Sequence, residues 1–420
     1  MTSTTQTNFD PALKQIYRES NVQKLTYERR PLLGLMPKFE GFGGRNMPIV
    51  LHYGNPMGRS AVFATAQSNR TQVRVEDFLL TRVNNYAVAT IDGEVVESTR
   101  GDSYAFLEAL KLKIDGAMAT LSDDIETELF RNGEGWIAQI TSVTSANPMV
   151  MTLSQIEEIT GFEVGMVLLA DDTATGASLR ATPASITIAA INRVSGTITT
   201  GYDNSGATTD WAANDYLFVS GDQATAAGTG NYRKMAGLDA WVPSAAPSST
   251  AFFGVDRTTD SRMYGQFHTG TADTLEDASI DAQSKSAREG GHPDLLILHH
   301  AQVRRFNKEL GAKKEYSEVS ASGADGMKAN VSYKGIVIQG DHGPINVIAA
   351  NKCQANVGWL LQKSVWQLAT MGPAVKILQE DNLRILRQAN SDGYEVRIGS
   401  RGNVGCKAPA WNVRIALPTP

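Results

Sequence analysis

The sequence predicts an α+β protein carrying a small all-β insertion, and three observations predict it. From Ser103 onward, apolar residues recur at steps of three and four for longer than an ordinary globular helix lasts. Between Trp136 and Asp222, short Thr/Ile/Val runs alternate with turn signals, and beyond Tyr232 helical and strand patterns interleave. At 420 residues, with 42% hydrophobic and 20% charged residues, the chain has material for several domains and is not a disordered polymer.

Taken in chain order, Asp10-Pro11 is a helix-start signal, an N-cap followed by proline at the first helical position. Leu13, Ile16 and Tyr17 then form a thin apolar stripe that ends before Arg29-Arg30-Pro31. Such a helix is too polar to anchor a core, so it reads either as a fraying terminus or as an arm that docks on another molecule. The glycine-rich stretch from Gly41 to Gly44 precedes a strand rather than a helix, which suits a hinge better than a phosphate cradle.

Strand patterns follow at Met47 to Tyr53, Gln72 to Arg82 and Asn84 to Ile91, broken by Gly54-Asn55-Pro56 and Asn84-Asn85. They read as a long β-hairpin whose outer part carries Arg70, Arg74, Glu76, Asp77 and Arg82 with few large apolar residues. A two-stranded ribbon is marginal in water unless it packs on something, so its support is expected from another chain. On that expectation Arg74, Glu76, Asp77 and Arg82 make intersubunit ion pairs or hydrogen bonds; the competing reading is that these charges keep a free ribbon soluble.

The long helix spans Ser103 to Arg131, with Leu107, Leu110, Ile114, Met118, Leu121, Ile125 and Leu129 on one stripe and Asn132-Gly133 as its stop. Its length would be ~43 Å at 1.5 Å per residue. Glu108, Lys111, Lys113, Asp115 and Glu126 mark the expected polar back. The insert has Arg180 and Arg193 as its only cations against many acids, which predicts an acidic, hydrated surface. In the last part, helices are expected at Asp273 to Glu289 and Ala301 to Leu310. Strands are expected at Leu295 to Leu298, Gly335 to Gln339, Ile345 to Ala350, Tyr394 to Gly399 and Trp411 to Leu417. Gly228-Thr-Gly230 reads as the flexible exit from the insert.

Chemistry is sparse. No GxxxxGK[ST], GxSxG, HExxH or correctly placed GxGxxG occurs, so no enzyme signature is assembled and no cofactor or metal is expected. His299 and His300 follow a strand and would face opposite ways, while His52, His268, His292 and His342 are scattered. The acid pairs Asp123-Asp124, Glu157-Glu158 and Asp171-Asp172 read as solvated faces. Cys353 and Cys406 show neither zinc spacing nor a disulfide framework. A net charge of −5 excludes a protein that grips nucleic acid along its backbone. No signal-peptide pattern and no run of ~18 apolar residues is found, which predicts a cytosolic chain without a membrane span; the Asn69 and Asn330 sequons are then chance matches.

The order of parts, from polar arm through hairpin, long helix and β insert to a mixed module, resembles the tailed-phage major capsid proteins of the Hong Kong 97 type. Leu238-Asp-Ala-Trp241-Val-Pro243, Phe252-Phe-Gly254-Val-Asp256-Arg257, Gly290-Gly-His-Pro293-Asp294 and Gly402-Asn403-Val-Gly-Cys406 resemble stretches of one subgroup of that family. The resemblance implies an N-arm at 1–44, an extended loop at 45–97 and a peripheral domain with its spine helix at 98–133. It further implies a β-rich insertion domain at 134–224, peripheral segments at 225–269 and 386–420, and an axial domain at 270–385.

The function it implies is self-assembly into pentamers and hexamers of an icosahedral shell around double-stranded DNA, with an encapsulin-like protein compartment as the alternative. Implied partners are further copies of the chain, a separate scaffolding protein, a portal, a cement or decoration protein, and packaged DNA held non-specifically. The virion, assembled in the host cytoplasm, is the implied location. Some family members weld neighbours through an extended-loop lysine. Here no lysine occurs between Lys38 and Lys111, so locking is expected to be non-covalent.

Overall fold

The computed structural model describes residues 30–93, 103–205, 209–224, 232–310, 337–378, 386–388 and 391–419, with side chains of the long helix from residue 113 onward. The expected arm helix with Leu13, Ile16 and Tyr17, and the Gly228 to Gly230 loop, lie outside these residues. Among the described residues the strands form two six-stranded sheets, one closed barrel and one two-stranded ribbon.

The first sheet is organised by the long strand Gly393–Cys406. It runs antiparallel to Val83–Asp92 along one side, from Gly393↔Asp92 to Gly402↔Val83. On the other side it takes Leu386–Arg387, Lys376–Ile377 and Trp366–Thr370 in succession. Lys38–Phe39 adds the parallel edge. Val83–Asp92, expected to belong to the hairpin, is thus a sheet strand of the molecule's body: Val83, Ala89 and Ile91 alternate inward, and that period-2 face needs a covered surface to meet.

The long helix runs Ser103–Phe130, within one residue of the sequence reading, and Gly133 ends the segment at φ +88°. Leu121, Ile125 and Leu129 are buried against this sheet. Glu126, expected on the polar back, is instead buried, because its carboxylate accepts N–H bonds from Leu32 (3.0 Å) and Leu33 (2.7 Å). Those are orphan donors at the start of the short helix Pro31–Leu35, so the carboxylate caps it from another element.

The second sheet has the order Gln266–Thr269, Val413–Ala416, Val357–Leu361, Leu295–Leu298, Gly343–Ala349, Val337–Gly340. Leu295–Leu298 is an unbroken apolar run because both faces are covered. Leu296 and Leu298 meet the helices Leu275–Arg288 and His300–Leu310, while Leu295 and Ile297 meet the main core with Trp359 and Leu361. Gln266–Thr269 and Val413–Ala416 lie in this sheet, and Trp366–Thr370 lies in the first. Short alternating strands carry no signal of which sheet they will join; pairing partners far away in sequence decide it.

The insert is a closed six-stranded barrel running Trp136–Val143, Val150–Leu153, Thr197–Thr200, Ile186–Asn192, Val167–Asp171 and Tyr216–Val219 around its circumference. Its own core holds Ile140, Met151, Phe162, Leu168, Ile198 and Leu217, each fully or nearly fully buried. Entry and exit adjoin: Gly135, at φ +91°, packs directly on the Asp222 carbonyl, where any Cβ would collide. Among the described residues no helix is long and apolar enough to cross a membrane.

Candidate interaction surface

The ribbon is the two-stranded sheet Asn46–Gly54 and Arg74–Thr81, in register from Asn46↔Thr81 to Gly54↔Arg74. Its base is not without support, contrary to the sequence reading. Ile49, Leu51, Tyr53, Phe78 and Leu80 share one face and are buried in the chain's own main core. Phe78 meets Trp241 edge-on at 5.1 Å and Phe252 at 6.2 Å. The Leu79 N–H donates to the Phe253 carbonyl (2.9 Å), and Arg257 lies over the Phe252 ring at 4.0 Å while donating to the Ala240 carbonyl (2.7 Å). Burial pushes the Arg257 guanidinium down to about 10. Gly405 leaves the space that Ile49 fills, and Asn403 joins Ala236 N–H (3.0 Å) to the Thr81 carbonyl (2.8 Å). The motif stretches around Trp241, Phe252 and Asn403 therefore build the ribbon's seat.

Beyond residue 54 that support ends. The tip, residues 54–73, turns through the single short helix Phe63–Ser68, and Met57, Val62 and Phe63 are 55, 59 and 82% exposed. Down the outer face, Val50, Val73 and Val75 are 62, 53 and 50% exposed, with Leu79 at 40%. The outer ribbon is thus richer in apolar surface than the sequence reading allowed. The signal was present in Val62-Phe63 and in Val73 and Val75 alternating with charge.

Of the charged residues expected there, Arg70, Arg74, Glu76 and Asp77 are all exposed. Among the described residues Arg70, Glu76 and Asp77 make no ion pair. Arg74 contributes to holding the Asp260 carboxyl below its usual range, behind the hydrogen bonds from Arg262. Arg82 stands apart: it is half-buried at the base, donates to the Phe42 carbonyl (3.2 Å) and lies 5.9 Å from the Phe42 ring. Phe42 is itself buried, so the Gly41 to Gly44 stretch is docked against the sheet there.

The remaining polar groups serve joints inside the chain. Lys234 binds Asp124 (2.7 Å), Asp222 (3.0 Å) and Glu128 (3.1 Å), tying the barrel's exit to the spine helix. Both Glu128 oxygens also accept from Asn85. Three carboxylates outweigh desolvation and hold the ammonium charged, while burial pushes Glu128 up against the pull of Lys234. Arg131 pairs with Glu158 (2.6 Å), donates to the Ile137 carbonyl (2.6 Å) and stacks on Trp136 at 3.9 Å, which ties the barrel's entry to the same helix. Asp123 pairs with Arg30 (2.7 Å), and Asp171 accepts from Thr173 and Ser178. The acid pairs read as solvated faces are therefore partly structural, and the partners that recruit them come from distant sequence.

His299 is buried, accepts the Ala301 N–H at Nδ1 (3.2 Å) and is held below its usual range by burial. His292 and His342 are not scattered; their rings lie 6.2 Å apart. Both cysteines are free and buried, and burial pushes Cys406 up to about 12 and Cys353 up as well.

Residues 213–385 match the family model described as SU10 major capsid protein. In structure the chain is similar to one titled "Cyanophage A-1(L) capsid asymmetric unit", at 11% identity and a TM-score of 0.55, covering 99% of this chain and 100% of that one. It is also similar to a chain from Mycobacterium phage Bobi (11% identity, TM-score 0.43, 98% of each chain covered). A third is the holo-SrpI encapsulin of Synechococcus elongatus PCC 7942 (10% identity, TM-score 0.40, covering 96% of this chain and 92% of that one). No curated protein matches the sequence. The cyanophage likeness gives the fold over the whole chain, and the family match reaches from the barrel's last strand across both sheets. Residues 213–385 thus match a phage major capsid protein family, and the chain as a whole has the fold of the cyanophage capsid chain.

Proposed function

We propose that the ribbon tip, residues 54–73, locks the shell by lying non-covalently over an adjacent subunit. The observation that carries this reading is the exposure of Met57, Val62 and Phe63 beyond the last residue that the chain's own core covers. Apolar side chains at the end of a structured ribbon gain by being covered, at ~25 cal/mol per Å² of buried apolar area. Arg70, Arg74, Glu76 and Asp77 then form a polar rim that sets register more than affinity. Arg82 belongs to the seat. The lysine-free stretch from Glu40 to Leu110 leaves no amine for a covalent weld from this loop. The arm, through Leu13, Ile16 and Tyr17, is a second clasp.

Each such contact is weak alone, yet a subunit held by several neighbours gains from effective concentration in a closed lattice. The two sheets are assigned to the two capsid domains: the Gly393–Cys406 sheet with the spine helix as peripheral, the Leu295–Leu298 sheet with its two helices as axial. The acidic barrel is an outward decoration. A net charge of −5 suits a wall that encloses double-stranded DNA without adhering to it. The family resemblance carries the rest: assembly in the host cytoplasm with separate scaffolding and portal proteins and a cement protein.

The test is Phe63→Ser combined with Val62→Ser, assembled with whatever partners the wild type needs. The expected result is soluble, folded subunits without closed shells in negative-stain micrographs. Wild-type shell yield and heat resistance would sink the clasp. An ultraviolet absorbance ratio dominated by nucleic acid in wild-type particles is expected; protein-only particles would overturn the genome-enclosing part.

A further inference from the structure

We propose that His268, Asp273 and Asp281 form a site for one divalent cation of the zinc, cobalt or nickel class. His268 lies on Gln266–Thr269, an edge strand of the second sheet. Asp273 immediately precedes the N-cap Thr274, and Asp281 lies two turns into the helix Leu275–Arg288. Each side chain offers one ligand atom, and those atoms lie within 4.8 Å of one another. The His268 Nε2 to Asp273 Oδ2 distance is 3.8 Å, too long for a hydrogen bond. Two atoms each ~2.1 Å from one tetrahedral ion stand about 3.4 Å apart, so a small rotation of the Asp273 side chain closes the site.

The second observation is independent of the acids. His268 is 8% exposed, and its Nε2 is buried with no hydrogen-bond partner. A buried polar atom normally finds a partner, and a cation held between this orphan nitrogen and the neighbouring carboxylates would supply one. Burial first, and then the Lys285 charge, lower the His268 pKa against the opposing pull of Asp281 and Asp273. Lys285 donates to the Phe267 carbonyl (3.0 Å), which holds its ammonium to the backbone.

One imidazole with two carboxylates is a poor cage for Ca²⁺ or Mg²⁺, which call for more oxygens, and a good one for borderline ions that accept nitrogen. Solvent would complete the coordination. A bound ion would clamp the edge strand, which among the described residues pairs with Val413–Ala416 alone, to the helix that covers it.

The experiment uses the untagged full-length chain, stripped of metal. Co²⁺ titration should give saturable visible absorption at one equivalent per chain, and calorimetry should find one Zn²⁺ site. Asp273→Asn and Asp281→Asn, both at solvent-accessible positions, should each weaken binding at least tenfold, and His268→Gln should abolish the cobalt spectrum. If His268→Gln unfolds the chain, the two aspartate variants decide. The absence of saturable binding up to about 1 mM ion, wild-type affinity in both aspartate variants, or Mg²⁺ binding as tightly as Zn²⁺ would overturn the assignment.

Discussion

The barrel and the ribbon are both built of short antiparallel strands that alternate buried and exposed residues, yet they solve opposite problems. The barrel closes on itself, so its strands pair around the circumference and its apolar face meets only itself. The ribbon has two strands and cannot close. Half its length borrows the seat built by Trp241, Phe252 and Gly405, and the other half extends past the cover that the described residues supply. Closure makes a module that is complete before it meets a neighbour. On the proposed reading an open ribbon makes a subunit that assembly completes, and the boundary between covered and uncovered ribbon falls near residue 54.

The largest expected effect tests that boundary from its covered side. Phe78→Ala should cost the subunit ~3–5 kcal/mol, the usual range for deleting a fully buried phenylalanine, whereas Phe63→Ala should change subunit stability by less than ~0.5 kcal/mol. Urea denaturation of unassembled subunits measures both. Equal effects would erase the boundary. Next comes the barrel's tie to the body: Glu158→Ala leaves Arg131 charged, 6% exposed and unpaired, and should cost about 3 kcal/mol. The barrel alone, as residues 134–222, should still melt cooperatively, with circular dichroism as the readout.

The third prediction concerns pH. Burial pushes the Glu126 carboxyl up to about 7, against the backbone N–H groups of Leu32 and Leu33. A raised folded pKa means that the folded chain binds this proton more tightly than the unfolded one. The contribution is fully present below about 4.5 and is lost as pH rises through about 7. Glu126→Gln should therefore shrink the stability difference between pH 5 and pH 8, measured by denaturant midpoints at each pH. The smallest effect is reserved for the rim: Arg74→Glu should change subunit stability by no more than ~1 kcal/mol, because exposed charges are worth little, while slowing assembly followed by light scattering.

Much of this was legible in the residues. The spine helix, the extent of the barrel and Leu295–Leu298 follow from periodicity, because each buries a local pattern long enough to read. What periodicity cannot carry is partnership. Val83–Asp92 looked like a third hairpin strand and found its partner some three hundred positions later in Gly393–Cys406. Glu126 carried the polarity of an outer face and was drawn inward by two orphan amides of Pro31–Leu35. His268 looked isolated because Asp281 lies two turns into a helix whose placement against the edge strand only the sheet decides. The ribbon's charges were visible, and its apolar tip was underweighted because valines spaced among arginines dilute any average.

Both native cysteine thiols are buried, and the chain has no other cysteine. A thiol introduced by Phe63→Cys would be the molecule's sole address for maleimide or disulfide chemistry. Whatever the ribbon tip touches in a finished particle could then be captured as a covalent adduct and read on a gel.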